Sequence, residues 1–277
     1  MGLWKKVGDR LLGYKSSREF AVLKNSNLFL THDSGFFSNC SVLIKSLAQS
    51  PVHPVTIDAT ASFTHFTNQG RPFDWYRFFR PAPSKINTVS HSWQSSRVAS
   101  RLPHHSVYRL LDYASSNGLV RDYFSLSEEV QRKAEDIKSH KLPAPLDRIV
   151  VLCVRGTDKK TEVRQSSLDS YVRAAKKALA HREDVAVWVQ TDQAQTRDYL
   201  LEQIGTRAFS VDTLPVTDDS IVIHRTDLVH DKDDFALNLL ATTWLMSQAS
   251  MVITYTGNVG YWIALFRGNS RGLIQLR

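Results

Sequence analysis

The sequence predicts an α/β protein of two halves, the second of which forms a doubly wound parallel sheet. Short apolar runs that end in polar turns, helical periodicity between those runs, and a length of 277 residues support this prediction. Hydrophobic residues make up 42% and charged residues 22% of the chain, values that are typical of globular proteins and exclude a disordered chain or a coiled coil. A chain of this length buries a sizeable core without disulfides or metal ions.

The second half alternates strand and helix signals. Continuously apolar runs predict buried parallel strands at Arg148–Val154, Val185–Val189, Ser220–His224, Met251–Tyr255 and Leu273–Leu276. Helical spacing of apolar residues predicts helices at residues 168–179, Thr196–Ile204, Phe235–Ala249 and Val259–Phe266. This alternation predicts a parallel sheet with helices on both faces.

The first half is less regular. Strands are expected at Leu28–Leu30 and Val55–Asp58, and helices at Asn39–Ala48 and Ser127–His140, while residues 66–106 show no clear period. The segment Leu142–Leu146 contains two prolines, which predict a linker. We therefore predict a domain at residues 1–143, a second domain at 144–277, and a cleft between them.

The net charge of +8 lies entirely in the first half. Up to Lys141 there are 19 Lys and Arg against 11 Asp and Glu, and from Ala144 onward there are 16 of each. A basic half indicates either an ordinary basic surface or an anionic partner. The sequence contains no basic helix or zinc knuckle of the kind that binds nucleic acid, so we expect no nucleic-acid partner. Weak contact with a membrane surface stays open as an alternative.

Three polar turns follow predicted strands of the second half. They begin at Arg155, at Thr191-Asp192 and at Thr256-Gly257-Asn258. Because the carboxyl ends of parallel strands meet at one edge of a sheet, these turns would line a single rim, where ligands bind in such folds. The planar guanidinium of Arg155 suits a diphosphate. The competing interpretation is that the strand ends are simply solvated, with Asp192 and Thr256 as helix N-caps.

The sequence resembles the α1,6-fucosyltransferase type of glycosyltransferase. The segment Val150–Lys159 is similar to the family's His-Val-Arg-Arg-Thr-Asp-Lys strand and loop, and Thr161-Glu162 follows as a Thr-Glu does there. Further similar segments, in the family's order, are Ser34–Asn39, Val55–Asp58, Val189–Asp192, Leu245–Ala249 and Thr254–Asn258. The resemblance touches both halves, although only part of the chain matches closely.

The resemblance implies two Rossmann-like halves of the GT-B type, with an active site in the cleft, and an inverting glycosyltransferase that uses no metal ion or other cofactor. The expected partners are a nucleoside diphosphate sugar and an acceptor oligosaccharide or glycoprotein glycan. Arg155 would neutralise the leaving diphosphate, and the other expected catalytic residues are Asp158, Lys159 and Glu162, with Asp33 as a reserve base. The expected donor contacts are Gly35, Phe36, Asn39, Cys153, Thr191, Asp192, Thr242, Thr256, Gly257 and Asn258.

This sequence departs from the family pattern at three positions. Cys153 replaces the family's histidine, Gly156 its second arginine, and Thr242 the aspartate that recognises the base. A guanine pocket needs an acceptor for two N–H groups, which a threonine cannot supply, whereas uracil suits hydroxyls and backbone groups. We therefore expect a UDP-sugar such as UDP-xylose rather than GDP-fucose.

Other interpretations remain open from the sequence. The alternative from another class is a non-catalytic module whose basic half binds an anionic polymer. A phosphotransferase is disfavoured because no phosphate-binding Gly-rich loop with Lys occurs. The acidic segment Asp231–Asp234 is either a metal site or a solvated loop, and the aromatic segment Trp75–Phe79 either packs in the core, stacks on sugar rings or lies on a membrane. Two cysteines and no long apolar run predict a soluble, cytoplasmic protein, bacterial or viral.

Overall fold

The computed structural model describes residues 20–68, 70–86, 106–155, 166–180, 182–218, 223 and 228–277. They form two sheets with helices packed around each. The first half contains strands β1 (Ala21–Lys24), β2 (Asn27–Leu30) and β3 (Thr56–Asp58) and helices α1 (Phe36–Ala48), α2 (Trp75–Phe78), α3 (Tyr113–Tyr123) and α4 (Glu128–Lys141). In its sheet β1 is antiparallel to β2, and β2 is parallel to β3.

The second half carries a five-stranded, fully parallel sheet. Its strands are β4 (Ile149–Val154), β5 (Ala186–Thr191), β6 (Ala208–Phe209), β7 (Met251–Tyr255) and β8 (Leu273–Leu276), in the order β6-β5-β4-β7-β8. The helices are α5 (Leu168–Leu179), α6 (Ala194–Ile204), α7 (Lys232–Gln248) and α8 (Asn258–Arg267). This is the doubly wound α/β arrangement that the sequence predicted.

Alternation along β4 shows how both faces of this sheet are covered. Val150, Leu152 and Val154 pack into one apolar cluster with α5 and α6. Ile149, Val151 and Cys153 point to the opposite face, where α7 and α8 pack. All six residues of β4 are buried, as expected for a central parallel strand.

Several elements differ from the sequence predictions. The strand beside β5 is the two-residue β6, and the predicted strand at Ser220–His224 lies outside the described residues except for Ile223. Strand β1 and helices α2 and α3 were not predicted. Helix α3 contains two serines and a glycine, which are weak helix formers, and it begins where the Asp112 carboxylate accepts a hydrogen bond from Ser115 N–H.

The two halves share one apolar core. Trp262 of α8 donates its indole N–H to the Phe37 carbonyl of α1 at 3.1 Å, and the two rings stack 6.0 Å apart. The buried face of α4, formed by Val130, Ala134 and Ile137, belongs to the same cluster as the residues of α7. The boundary at residues 143–144 stays a prediction. Among the described residues, no helix is long and apolar enough to cross a lipid bilayer.

Candidate active site at the strand-order reversal

The order of the parallel strands reverses between β4 and β7. From β4 the chain winds outward through β5 and β6, then returns to place β7 and β8 on the other side. Such a reversal opens a crevice at the carboxyl ends of the two central strands, where α/β folds bind ligands. Cys153 pairs with Gln190 on one side and with Thr254 on the other. Two residues further on, Arg155 therefore stands level with Asp192 and Thr256, so the three polar turns lie at one edge of the sheet, while ligand binding there stays a prediction.

Arg155 supplies a positive charge at this rim. It follows the last residue of β4, and its side chain is 22% exposed. Its Nε lies 3.8 Å from the Asp192 carboxylate, which follows β5. A guanidinium stays protonated at any physiological pH and offers several donors in one plane. The pair therefore holds a fixed and partly accessible cation beside the crevice.

A row of polar side chains lies one step below the rim. Gln190, Cys153, Thr254 and Gln275 are aligned across four neighbouring strands, on the face covered by α7 and α8. Burial raises the pKa of the Cys153 thiol to about 12, so the thiol is neutral and a poor nucleophile at neutral pH. Cys153 is almost fully buried, so its thiol has little access to a ligand in the crevice.

One atom of this row, the buried Gln190 Oε1, has no hydrogen-bond partner among the described residues. A buried polar atom without a partner costs about 1–3 kcal/mol. Gln190 and Thr254 lie within the segments Val189–Asp192 and Thr254–Asn258 that the sequence analysis compared with the family, but neither was named as a site residue. Each is a polar residue that stands one position before the end of its strand.

The first turn of α8 forms the other wall of the crevice. Gly257 is its N-cap and, having no side chain, caps none of the backbone N–H groups that follow in this turn. A Cβ atom at Gly257 would collide with the Tyr255 ring, and one at Gly260 would approach the Tyr255 carbonyl to 2.5 Å. Only glycine permits this close approach. An open helix N-terminus of this kind is suited to an anionic ligand.

Tyr108, from the first half, fixes this turn. Its hydroxyl accepts a hydrogen bond from Gly257 N–H at 2.9 Å and lies 2.9 Å from the Gly257 carbonyl. Its own N–H donates to Gln275 Oε1 at 2.9 Å, and Gln275 Nε2 donates to Thr256 Oγ1 at 2.9 Å. Burial raises the pKa of Tyr108 well above its ordinary value, so the hydroxyl stays protonated. Tyr108 lies far from any motif, and sequence analysis missed it.

Asn258, predicted to bind the donor, also contacts the first half. Its Oδ1 lies 3.0 Å from Ser41 Oγ of α1, and the Ser41 hydroxyl accepts a hydrogen bond from Trp262 Nε1 at 3.0 Å. The side-chain carbonyl of Asn258 is therefore directed at α1. The two halves meet beside the crevice through this contact.

Four predicted residues lie in the loop before α1 and in the first turn of α1. The Phe36 ring is buried among five other aromatic rings, so a donor contact there would fall to its backbone. The Asn39 amide is bonded to Ser34 N–H and Ser34 O at 3.0 and 3.4 Å and shapes the loop. A side chain at Gly35 would meet no atom within 4 Å, so the space beside it is open. Asp33 accepts hydrogen bonds from the Thr64 N–H and hydroxyl.

The remaining predicted donor contacts are buried. Thr191 Oγ1 accepts a hydrogen bond from Gln193 N–H at 3.4 Å. Thr242 lies fully buried in α7, with its hydroxyl 3.2 Å from Thr213 Oγ1. The predicted residues Asp158, Lys159 and Glu162 lie outside the described residues.

Comparison with solved structures shows what this architecture is similar to. The α-1,6-fucosyltransferase NodZ co-crystallised with GDP matches with a TM-score of 0.54 and 16% identity, over 91% of this chain and 93% of that chain. NodZ soaked with GDP-fucose matches with the same TM-score and identity, over 87% and 91%. Fucosyltransferase NodZ from Bradyrhizobium matches with a TM-score of 0.50 and 16% identity, over 82% and 86%. No protein-family model and no curated protein sequence matches the chain. At this identity the likeness shows the fold, which is of the predicted GT-B type.

The acidic segment Asp231–Asp234 is neither a solvated loop nor arranged as a metal site. Asp231 caps α7 by accepting the Asp234 N–H at 3.0 Å, and it also accepts Asn68 Nδ2 at 3.1 Å. Asp233 pairs with Arg71 and Arg77 at 3.1 and 3.0 Å, and Asp234 pairs with Lys133 at 2.9 Å. The solvated-loop interpretation of this segment was wrong, because first-half side chains approach it only in the folded chain. No group of three His, Cys, Asp or Glu in the described part of the chain is placed to hold a metal ion.

Proposed function

We propose that this protein is a glycosyltransferase that takes a sugar from a nucleoside diphosphate donor. The observation that carries the proposal is the crevice at the strand-order reversal, with the Arg155 guanidinium on one side and the uncapped first turn of α8 on the other. Both groups attract a diphosphate. The fold likeness to NodZ supports this class, since NodZ was crystallised with GDP and soaked with GDP-fucose.

In the proposed reaction, the bond between sugar C1 and the diphosphate oxygen breaks while the acceptor oxygen bonds to C1. Negative charge grows on the departing diphosphate, and Arg155 with the backbone N–H of Asn258 in the first turn of α8 stabilises it. Donors fixed in advance at such a position are worth about 3–4 kcal/mol each in mutational tests of other enzymes. The mechanism needs no metal ion, because Arg155 supplies the compensating charge. Attack from the face opposite the leaving group inverts C1.

A carboxylate must take the proton of the acceptor hydroxyl. Asp158 and Glu162 are the proposed bases from the family resemblance, with Lys159 beside them, and Asp33 is the reserve. Asp33 lies where β2 ends, and the Thr64 hydroxyl and N–H hold its carboxylate in one orientation. A base held in this way suits directed proton transfer, while leaving lone pairs of the carboxylate available.

The decisive experiment compares two arginines at opposite ends of β4. Arg155→Ala should abolish the thermal stabilisation by nucleoside diphosphates and the transfer reaction. Arg148→Ala is the matched control, since Arg148 also faces an aspartate loosely, with Nε 3.6 Å from Asp184, but lies at the amino end of the strand. A nucleotide at a hundred times its dissociation constant adds about 2.7 kcal/mol of stability. Equal nucleotide responses of both variants would overturn the proposed site.

The proposed donor carries uracil rather than guanine. Thr242 and Thr213 present hydroxyls to each other, and neither supplies the carboxylate that would accept two guanine N–H groups. Leaving those groups unpaired costs about 1–3 kcal/mol, which is a factor of about 5 to 150 in affinity. UDP should therefore bind more tightly than GDP in calorimetric titrations in one buffer, with UDP-xylose as the first donor to assay. GDP binding ten times more tightly than UDP would contradict this preference.

A second function is favoured by charge alone. The first half carries the whole net charge of +8, which suits a non-catalytic module that binds an anionic polymer. In that case no nucleotide would raise the melting temperature, and a sulfated polysaccharide would bind in a salt-sensitive manner.

A further inference from the structure

An open pocket of about 630 Å³ lies on the first half, outside the crevice described above. Its walls come from α2 with the residues that follow it and from the first turn of α4, and they include Tyr76, Arg80, Pro81 and Glu128. The volume falls within the range of roughly 300–1,000 Å³ that small-molecule sites occupy. The proposed function as described so far does not use this pocket.

The aromatic wall of the pocket is a single exposed ring. Tyr76 is 39% exposed, whereas its neighbours Trp75, Phe78 and Phe79 are buried in the aromatic core. The Tyr76 hydroxyl lies 3.4 Å from Ile57 N–H of β3, which anchors one end of the ring. The sequence left the role of the aromatic segment Trp75–Phe79 undecided. In the structure three of its rings lie in the core, and the fourth lines the pocket.

The floor of the pocket is held rigidly. Arg77 binds both oxygens of Glu129 through its Nε and Nη2, at 2.7–3.0 Å, and its Nη1 lies 3.0 Å from Asp233. Both Arg77 and Glu129 also line the pocket. Because their charges compensate each other, they add shape and polarity without a net charge.

Two charged side chains of the pocket have no partner in the described part of the chain. Arg80 and Glu128 are both exposed, and neither side chain makes a hydrogen bond or an ion pair within the described residues, whereas the Arg80 backbone N–H donates to Ser125 O at 2.8 Å. The pocket therefore presents one guanidinium, one carboxylate and one aromatic ring. A phosphate group would meet the Glu128 and Glu129 carboxylates, so an anionic ligand is disfavoured. A neutral ligand rich in hydroxyls satisfies all three groups. Its hydroxyls donate to the carboxylate and accept from the guanidinium, and the apolar face of a sugar ring packs on the aromatic ring.

The pocket lies beside the junction of the two halves. Asp233, which pairs with Arg77, stands in the first turn of α7. Because α7 leads into β7 of a parallel sheet, α7 begins at the edge where the strands end. That edge is the one on which the crevice opens. We infer that the Tyr76 pocket is a subsite for a neutral carbohydrate chain, the acceptor of the proposed transfer, and this inference rests on the proposed function.

The test measures carbohydrate binding separately from nucleotide binding. The wild-type protein is screened on an array of neutral and sulfated oligosaccharides, and the best neutral ligand is titrated against variants. Tyr76→Ala and Arg80→Ala should each weaken its binding at least tenfold, and should leave the thermal shift with UDP or GDP unchanged. Tyr76→Phe keeps the ring and should bind nearly as the wild type does. Val52→Ala and Arg173→Ala, exposed residues away from the pocket, are the matched controls.

Each outcome bears on the inference. Loss of carbohydrate binding in Tyr76→Ala and Arg80→Ala, with nucleotide shifts intact, supports it. Equal binding by all variants overturns it, and so does the absence of any neutral ligand or a preference for sulfated chains. A failure of nucleotides to bind, with carbohydrate binding still dependent on Tyr76, would leave a sugar-binding pocket and overturn the transferase assignment instead.

Discussion

At the residue scale, the hydroxyl of Tyr108 holds the Gly257 turn that forms one wall of the crevice. Tyr108→Phe would leave the buried Gly257 N–H without its acceptor, which costs about 1–3 kcal/mol. We expect this variant to lose stability in urea denaturation and also to bind nucleoside diphosphates more weakly, since the Gly257 turn is the proposed diphosphate site. Tyr123→Phe is the control, because Tyr123 accepts a backbone N–H from Val55 at 3.2 Å within the first half. It should lose stability only. An unchanged nucleotide affinity in Tyr108→Phe would separate the turn from donor binding.

The sequence could predict the position of a site residue where that residue directly follows a strand of the parallel sheet. Arg155, Asp192 and Thr256 meet because parallel strands in register deliver them to one edge. Tyr108 and Gln190 were not predictable. Tyr108 reaches the turn from a separate segment, and the unpartnered Gln190 amide is defined only by what surrounds it. Roles assigned through family resemblance to Asp158, Lys159 and Glu162 stay predictions.

At the element scale, the start of α7 joins a helix cap to the junction of the halves. Asp231→Ala removes the cap on Asp234 N–H and the contact to Asn68, and we expect a loss of about 0.5–2 kcal/mol. Asp112→Ala removes a comparable cap on α3 and serves as the control. Neither variant should change nucleotide affinity, with or without EDTA, if the Asp231 carboxylate is structural. Nucleotide binding that needs both Asp231 and a divalent ion would restore the metal-site interpretation of this segment.

Helices and strands could be predicted from the sequence where they contain a long apolar run. Strands β4, β5 and β7 are continuous apolar stretches, and their predicted bounds agree with the structure to within two residues. β6 spans two residues and α2 four, lengths at which no periodicity can be read. Their positions depend on packing against the sheet and the aromatic core instead.

At the scale of the whole molecule, the two halves are held together by contacts that no local pattern encodes. The Trp262–Phe37 pair joins α8 to α1, and Lys141 pairs with Asp212 at 2.9 Å across the predicted domain boundary. The sequence predicted two halves and a cleft, but not that one apolar core runs through both. Residues of such a junction look like ordinary core or surface positions until the fold brings them together.

These contacts predict how the molecule responds to acid. Hydrogen bonding to Lys141 lowers the pKa of Asp212 below its ordinary 3.8, and the Asp234 N–H followed by the Asn68 amide lowers that of Asp231. Hydrogen bonding to Arg77 likewise lowers the pKa of Glu129 below 4.5. A lowered folded-state pKa means that the stabilisation is present above the unfolded-state pKa and is lost as pH falls through the folded-state value. The contribution of these carboxylates to the urea midpoint should therefore hold between pH 7 and pH 5 and be lost steadily below about pH 4. In Asp231→Asn and Asp212→Asn the fall below pH 4 should be shallower, because the titrating carboxylate is gone. A midpoint that does not fall between pH 4 and pH 3 in the wild type would show that these pairs add nothing to the stability of the fold.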